Sequence, residues 1–94
     1  MFHVNRLIWD NWNVAHIARH EVTPDEVEQV CHSEPMVSKT YDKHLRLIGS
    51  TDGGRILTII IASQGEDVYY PVTARAASRK ERRRYREYKD KKNI

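Results

Sequence analysis

Between residues 36 and 74 the chain is cut into four β-branched and aromatic runs by three short turn clusters, and this spacing constrains the fold more than any other feature. The runs are residues 36–41, 45–50, 55–62 and 67–74; the clusters are Asp42-Lys43-His44, Thr51-Asp52-Gly53-Gly54 and Ser63-Gln64-Gly65-Glu66. Connections this short force antiparallel neighbours, because a parallel return needs a crossover of about a dozen residues. Run 55–62 is the most apolar and is expected to be the central strand, with helices over one face of the sheet. Pro71 cannot donate a ladder bond, so it predicts an edge segment, a bulge or a bend in the last strand.

The remaining segments carry helix signals. Leu7-Ile8-Trp9 predicts a short strand or extended entry, and Asp10 stands where an N-cap belongs. Helical spacing then runs from Trp12 to His20, with Trp12, Ala15, His16 and Arg19 recurring along it. Thr23-Pro24-Asp25-Glu26 joins a cap, a proline suited to the first helical position and a glutamate that completes a capping box. Val27, Val30 and Cys31 supply the buried stripe of that second helix, which is expected to end near Ser33 or Glu34, ahead of Pro35. Ser78 and Glu81 repeat the capping-box pattern and open a C-terminal helix. That helix has almost no aliphatic stripe and should dock through Tyr85, Tyr88 and arginine stems. Residues 91–94 are expected to fray. The reading is one α+β domain over residues 1–94: two N-terminal helices, a four-stranded antiparallel sheet with a possible short extra N-terminal strand, and a basic C-terminal helix.

Charge is distributed unevenly. Residues 75–92 hold ten of the sixteen Lys and Arg residues against three acids, about +7, while the remainder holds six bases and ten acids, about −4. That polarity points to a polyanionic partner, with RNA the expected one. The single cysteine, Cys31, cannot form an internal disulfide, residues 1–13 lack the apolar run of a signal sequence, and residues 56–62 are too short to span a bilayer. A cytoplasmic protein without membrane contact is the expectation.

Several motifs recur in one order: Trp9-Asp10; His20 with Val22-Thr23 and Glu26; Arg46 with Ile48-Gly49; Gly54-Arg55 before an apolar strand; Thr73-Ala74-Arg75-Ala76 before Glu81-Arg82 and Tyr85. In this order and spacing the chain resembles the BrnT family over residues 7–88. These are ribonuclease toxins of bacterial type II toxin-antitoxin pairs, with a fold similar to RelE-type toxins. The resemblance implies a metal-independent endoribonuclease that needs no cofactor. It also implies a small ribbon-helix-helix antitoxin as partner, in a homodimer or a toxin-antitoxin heterotetramer. Two departures mark a divergent branch: Glu21 stands where the family usually has glycine, and Tyr69-Tyr70-Pro71-Val72 replaces the commoner Arg-Ile-Ile-Ser run.

RNA cleavage without a metal needs an acid, a base and cations that stabilise the charged transition state. Arginine suits the last role, since its planar guanidinium grips phosphate oxygens and stays charged. Arg75, His20, Glu81 and Arg55 are the catalytic candidates. Arg46, Arg79, Arg82, Arg83, Arg86 and Tyr85 are the RNA-binding ones, with Arg79, Arg82, Arg83 and Arg86 on one helix face and Tyr85 able to stack on a base. Each has a competing reading. Arg75 can pair with Glu81, His20 can be a packed or solvent-facing histidine, Glu81 is already explained by capping, and Trp9 and Trp12 are more simply core than stacking platforms. A zinc site from His16, His20, Cys31 and His32 matches no closed four-ligand spacing, so no metal is expected. A non-catalytic nucleic-acid or protein-binding relative of the toxin fold is the alternative function.

Overall fold

The structure, a computed structural model, describes residues 2–40 and 42–92. Tyr41, which closes the expected run 36–41, and residues 93 and 94 of the expected frayed end lie outside the described residues. The element order is β1 (Arg6–Leu7), α1 (Asn11–Ala18), α2 (Pro24–Cys31), β2 (Met36–Lys39), β3 (Leu45–Ser50), β4 (Ile56–Ser63), β5 (Val68–Ala76) and α3 (Arg79–Lys92). The sheet runs β1-β5-β4-β3-β2, so the apolar strand β4 is central as its composition requires.

The sheet has five strands and is mixed, which corrects the expected four antiparallel strands. The β2–β3, β3–β4 and β4–β5 pairs are antiparallel hairpins, but β1 lies parallel to β5, with Arg6 beside Val68 and Leu7 beside Tyr69. Everything between residues 8 and 67 serves as the crossover that a parallel pair needs. A two-residue strand carries no periodicity of its own, so its pairing was not readable.

Local chemistry explains the helices. In α2, Thr23 Oγ1 accepts from the Glu26 N–H at 3.2 Å and the Glu26 carboxylate accepts from the Thr23 N–H at 3.1 Å, closing the expected box. The helix stops at Cys31, two or three residues before the expected end at Ser33 or Glu34. In α1, Asp10 caps as predicted, but Asn13 answers it: each side chain accepts from the other's N–H at 2.9 Å. Asn13 is fully buried, its amide donating to the carbonyls of Ile8 at 2.9 Å and Pro71 at 3.2 Å. The face α1 turns inward is therefore Asn13 and Ile17, and Trp12 is left 58% exposed, contrary to its reading as core.

One face of the sheet carries the main core. Leu47, Leu57, Ile59, Ile61 and Ala74 pack beneath Ile17 of α1 and Val27 and Val30 of α2. Where α2 ends over β3, a side chain at Gly49 would meet Pro35 Cβ and Val30 Cγ1 at 3.0 Å, so the close approach requires glycine. Pro71 lies opposite Ile61 at a register shift between Ile60 and Ile61, so the bulge is the option realised; β5 is an interior strand, flanked by β1 and β4.

α3 packs on the opposite face. Tyr85, only 6% exposed, and half-buried Tyr88 meet Ile48, Ala77, Met36 and Ile56 there, as the missing aliphatic stripe predicted. Burying the Tyr85 ring contributes roughly 2 kcal/mol, comparable with a large aliphatic side chain.

Candidate nucleic-acid interface

The site grows from strand register. Residues directly opposite in neighbouring strands share a sheet face. Arg46 pairs with Ile60, and Ile60 with Thr73; one row over, Ile48 pairs with Thr58 and Thr58 with Arg75. Arg46 and Arg75 therefore stand on the same face, two strands and two residues apart, roughly 12 Å between Cα atoms by standard sheet spacings. α3 covers the end of this face nearest Met36, Ile48 and Ile56. The row Arg46, Ile60 and Thr73 stays partly exposed beside it.

At the junction of β5 and α3 the polar groups are tightly knit. Arg75 Nη1 and Nη2 donate to Glu81 Oε1 and Oε2 at 2.8 and 3.0 Å, a bidentate ion pair. Glu81 Oε1 also accepts from the Ser78 N–H at 2.8 Å and from Thr58 Oγ1 at 3.0 Å, while Ser78 Oγ accepts from the Glu81 N–H at 3.2 Å. With the Arg75 guanidinium first among these donors, the Glu81 carboxyl is held down at about 2. Glu81 is thus an anion at neutral pH and a weak base, its lone pairs already engaged. The pairing with Glu81 is the competing reading of Arg75, and it coexists with a position on the exposed face: the Arg75 side chain is 46% exposed and that of Glu81 18%. Thr58, buried and indistinguishable in sequence from any strand threonine, is the member of this cluster that sequence reasoning missed.

Arg55 and His20 lie elsewhere. Arg55 Nη1 donates to the Glu21 carbonyl at 2.7 Å and to the Glu26 carboxylate at 3.2 and 3.3 Å, and Nη2 reaches the His20 carbonyl at 3.5 Å. That clamp joins the start of β4 to the α1–α2 connection, on the face that bears α1 and α2. The four catalytic candidates therefore form two pairs on opposite faces of the sheet: Arg75 with Glu81, and Arg55 with His20. The His20 ring is exposed, edge-on to His16 at 6.0 Å, and His16 stacks on Trp12 at 4.7 Å.

Of the RNA-binding candidates, Arg79, Arg83 and Arg86 are exposed along α3, whereas Arg82 is half-buried and donates to the Ala77 carbonyl at 2.9 Å. Tyr85 is buried in the α3 cluster and offers no free ring face for a base. Arg46 makes no ion pair among the described residues and, with Lys39, Thr40, Asp42 and Ile60, lines an open cleft of about 430 Å³. Tyr70 donates to the Asp10 carboxylate at 3.0 and 3.1 Å, and the Asp10 pKa is lowered chiefly by its backbone bond at Asn13. Cys31 is buried, and burial pushes its thiol up to about 12. Among the described residues no three His, Cys, Asp or Glu side chains converge to hold a metal ion, and no helix is long and apolar enough to cross a membrane.

Comparison with protein-family models, with curated proteins and with solved structures returns no match.

Proposed function

We propose that this chain is a metal-independent endoribonuclease, the toxin half of a type II toxin-antitoxin pair, acting on RNA laid across the sheet face that carries Arg46 and Arg75. The observation that supports the reading most is that Arg46 and Arg75 share one partly open sheet face, while Arg79, Arg83 and Arg86 are exposed along the helix that packs on the end of that face. Cations gathered there match a phosphate backbone and the charge that builds up when it is cleaved. Arg75 has the guanidinium geometry for the transition state, provided that an incoming phosphate displaces the Glu81 carboxylate. The order of motifs shared with BrnT toxins supports the same reading, and by that resemblance the basic face is where a small antitoxin would sit.

A second reading, a non-catalytic RNA-binding relative of the fold, is favoured by one observation. Glu81 is locked into an ion pair, and His20 and Arg55 stand on the other face, so the acid and base candidates do not gather around Arg75. Incubating the purified protein with total RNA, with and without EDTA, decides between the two. The nuclease reading expects fragments in both reactions; an intact RNA ladder at large protein excess, with RNA retained in a gel shift, leaves binding alone. If Arg46→Ala then weakens retention and lowers the salt dependence by about one phosphate contact, the face is right whichever reading holds.

A further inference from the structure

The sheet ends at β2, and the bonding pattern there leaves an open edge. The Thr40 N–H donates to the His44 carbonyl at 2.8 Å, which makes Thr40 and His44 a bonded pair. Bonded pairs recur every second residue, so with Ser38 opposite Arg46 and Met36 opposite Ile48, the backbone groups of Met36 and Ser38 face β3. Those of Val37 and Lys39 point outward. Among the described residues nothing pairs with them.

Beside this edge lies a groove of about 460 Å³, its apolar wall including Val4, Cys31, Pro35 and Val37 and its rim Glu34 and Lys92. Lys92 lies 3.8 Å from Glu34, so those two charges answer each other, whereas Lys39 has no ion pair among the described residues. An open edge next to an apolar groove is the arrangement that strand addition uses: main-chain bonds hold the incoming strand and alternate side chains fill the pocket.

We propose that the β2 edge binds an extended segment of another protein as a sixth, antiparallel strand. The segment carries an acidic residue and, two positions later, a large apolar one. Antiparallel docking sets the apolar residue opposite Val37, with its side chain in the groove, and the acid two residues earlier opposite Lys39. A second copy of this chain is a poor occupant. Met36–Lys39 contains no acid, and edge-to-edge pairing would bring two uncompensated lysines together, a common guard against self-association. Lys39 also lines the cleft beside Arg46, so this surface adjoins the RNA face, but the inference does not rest on nuclease activity.

The test uses the isotopically labelled full chain and a capped synthetic hexapeptide, Thr-Glu-Thr-Leu-Thr-Thr. Titration is expected to shift the amide resonances of Val37 and Lys39 and to slow their hydrogen exchange at least about tenfold, with little change in β1 or β5. Methylating the glutamate and leucine backbone nitrogens of the peptide removes the two donors and should abolish the effect. Lys39→Glu should transfer the preference to a peptide with lysine in place of glutamate. Three results would overturn the proposal: unmoved Val37 and Lys39 amides at about 1 mM peptide, equal binding of the methylated peptide, or protection of these amides that depends on protein concentration alone, which would assign the edge to a second copy.

Discussion

The first turns of α2 and α3 are built from the same parts on opposite faces of one sheet. Each opens with a hydroxyl cap and a glutamate three residues on, Thr23 with Glu26 and Ser78 with Glu81, and each glutamate is gripped by an arginine from the strand region, Arg55 and Arg75. They differ in what else the arginine holds. Arg55 also gathers the carbonyls of His20 and Glu21, so it ties a helix end, a helix start and a strand together. Arg75 puts both terminal nitrogens on one carboxylate and adds only a 3.2 Å bond to the carbonyl of its chain neighbour Ala76; the carboxylate keeps two further donors, Thr58 and the Ser78 N–H, when the arginine lets go. The first clamp is therefore a fixture of the fold. Under the proposed function, the second would open for a phosphate without leaving its glutamate bare.

The comparison can be broken most readily at Arg55. Arg55→Met leaves half-buried Glu26 and the Glu21 carbonyl without their charged partner and is expected to lower unfolding free energy by about 2 kcal/mol, read by urea denaturation. Under the proposed nuclease function, cleavage per folded molecule should stay unchanged. Arg75→Ala is expected to do the reverse: at least about a tenfold loss of RNA cleavage, worth about 1.4 kcal/mol of transition-state stabilisation, with a smaller loss of stability. An equal loss of stability in the two variants would remove the distinction between fixture and latch.

Acid should sharpen the contrast. The Glu81 carboxyl is held at about 2, below its ordinary value of 4.5, so its contribution is complete above pH 4.5 and drains away as pH falls toward 2. The side chain of its partner Arg75 is nearly half exposed, so solvent screening trims that contribution to about 1 kcal/mol. Glu81→Gln should remove this part of the acid-unfolding limb, measured as midpoint against pH between 2 and 5.

The smallest effect has the opposite sign. Glu21 has φ of 60°, in the left-handed region, where its N–H bonds to the Ala18 carbonyl at 3.0 Å and the Val22 N–H to the Ile17 carbonyl at 3.2 Å, the paired bonds of a Schellman closure. Glycine suits that position, so Glu21→Gly is expected to stabilise by about 0.5 kcal/mol in thermal unfolding. Combined with Arg55→Met, it tests whether Arg55 holds this strained turn in place: a gain larger than in the parent chain would mean that it does.

Much of this was readable because it is local. Thr23 with Glu26, Ser78 with Glu81 and the three hairpin turns act over three or four residues, and their chemistry survives any change in the rest of the fold. Tyr85 was placed as an anchor because α3 offers little else that is apolar, but that same burial removes it as a base platform. The face of Arg75 could not be counted from the sequence. Alternation along β5 is broken at the bulge opposite Ile60 and Ile61, so Tyr69 and Tyr70 do not fix the orientation of residues after Pro71. Trp12 was misplaced for a different reason: Asn13, a polar residue that periodicity assigns to water, takes the buried position because two distant carbonyls satisfy its amide.

By itself the sequence determined the capped helices, the antiparallel hairpins and the concentration of positive charge at one end, all consequences of backbone sterics and of residues near each other in the chain. Only the tertiary structure decided which arginine meets which carboxylate, that the expected catalytic residues lie on two faces, and that β1 forms one edge of the sheet and β2 the other. Those outcomes depend on register and on crossing the sheet, where one bulge or one buried amide changes which side chains can meet.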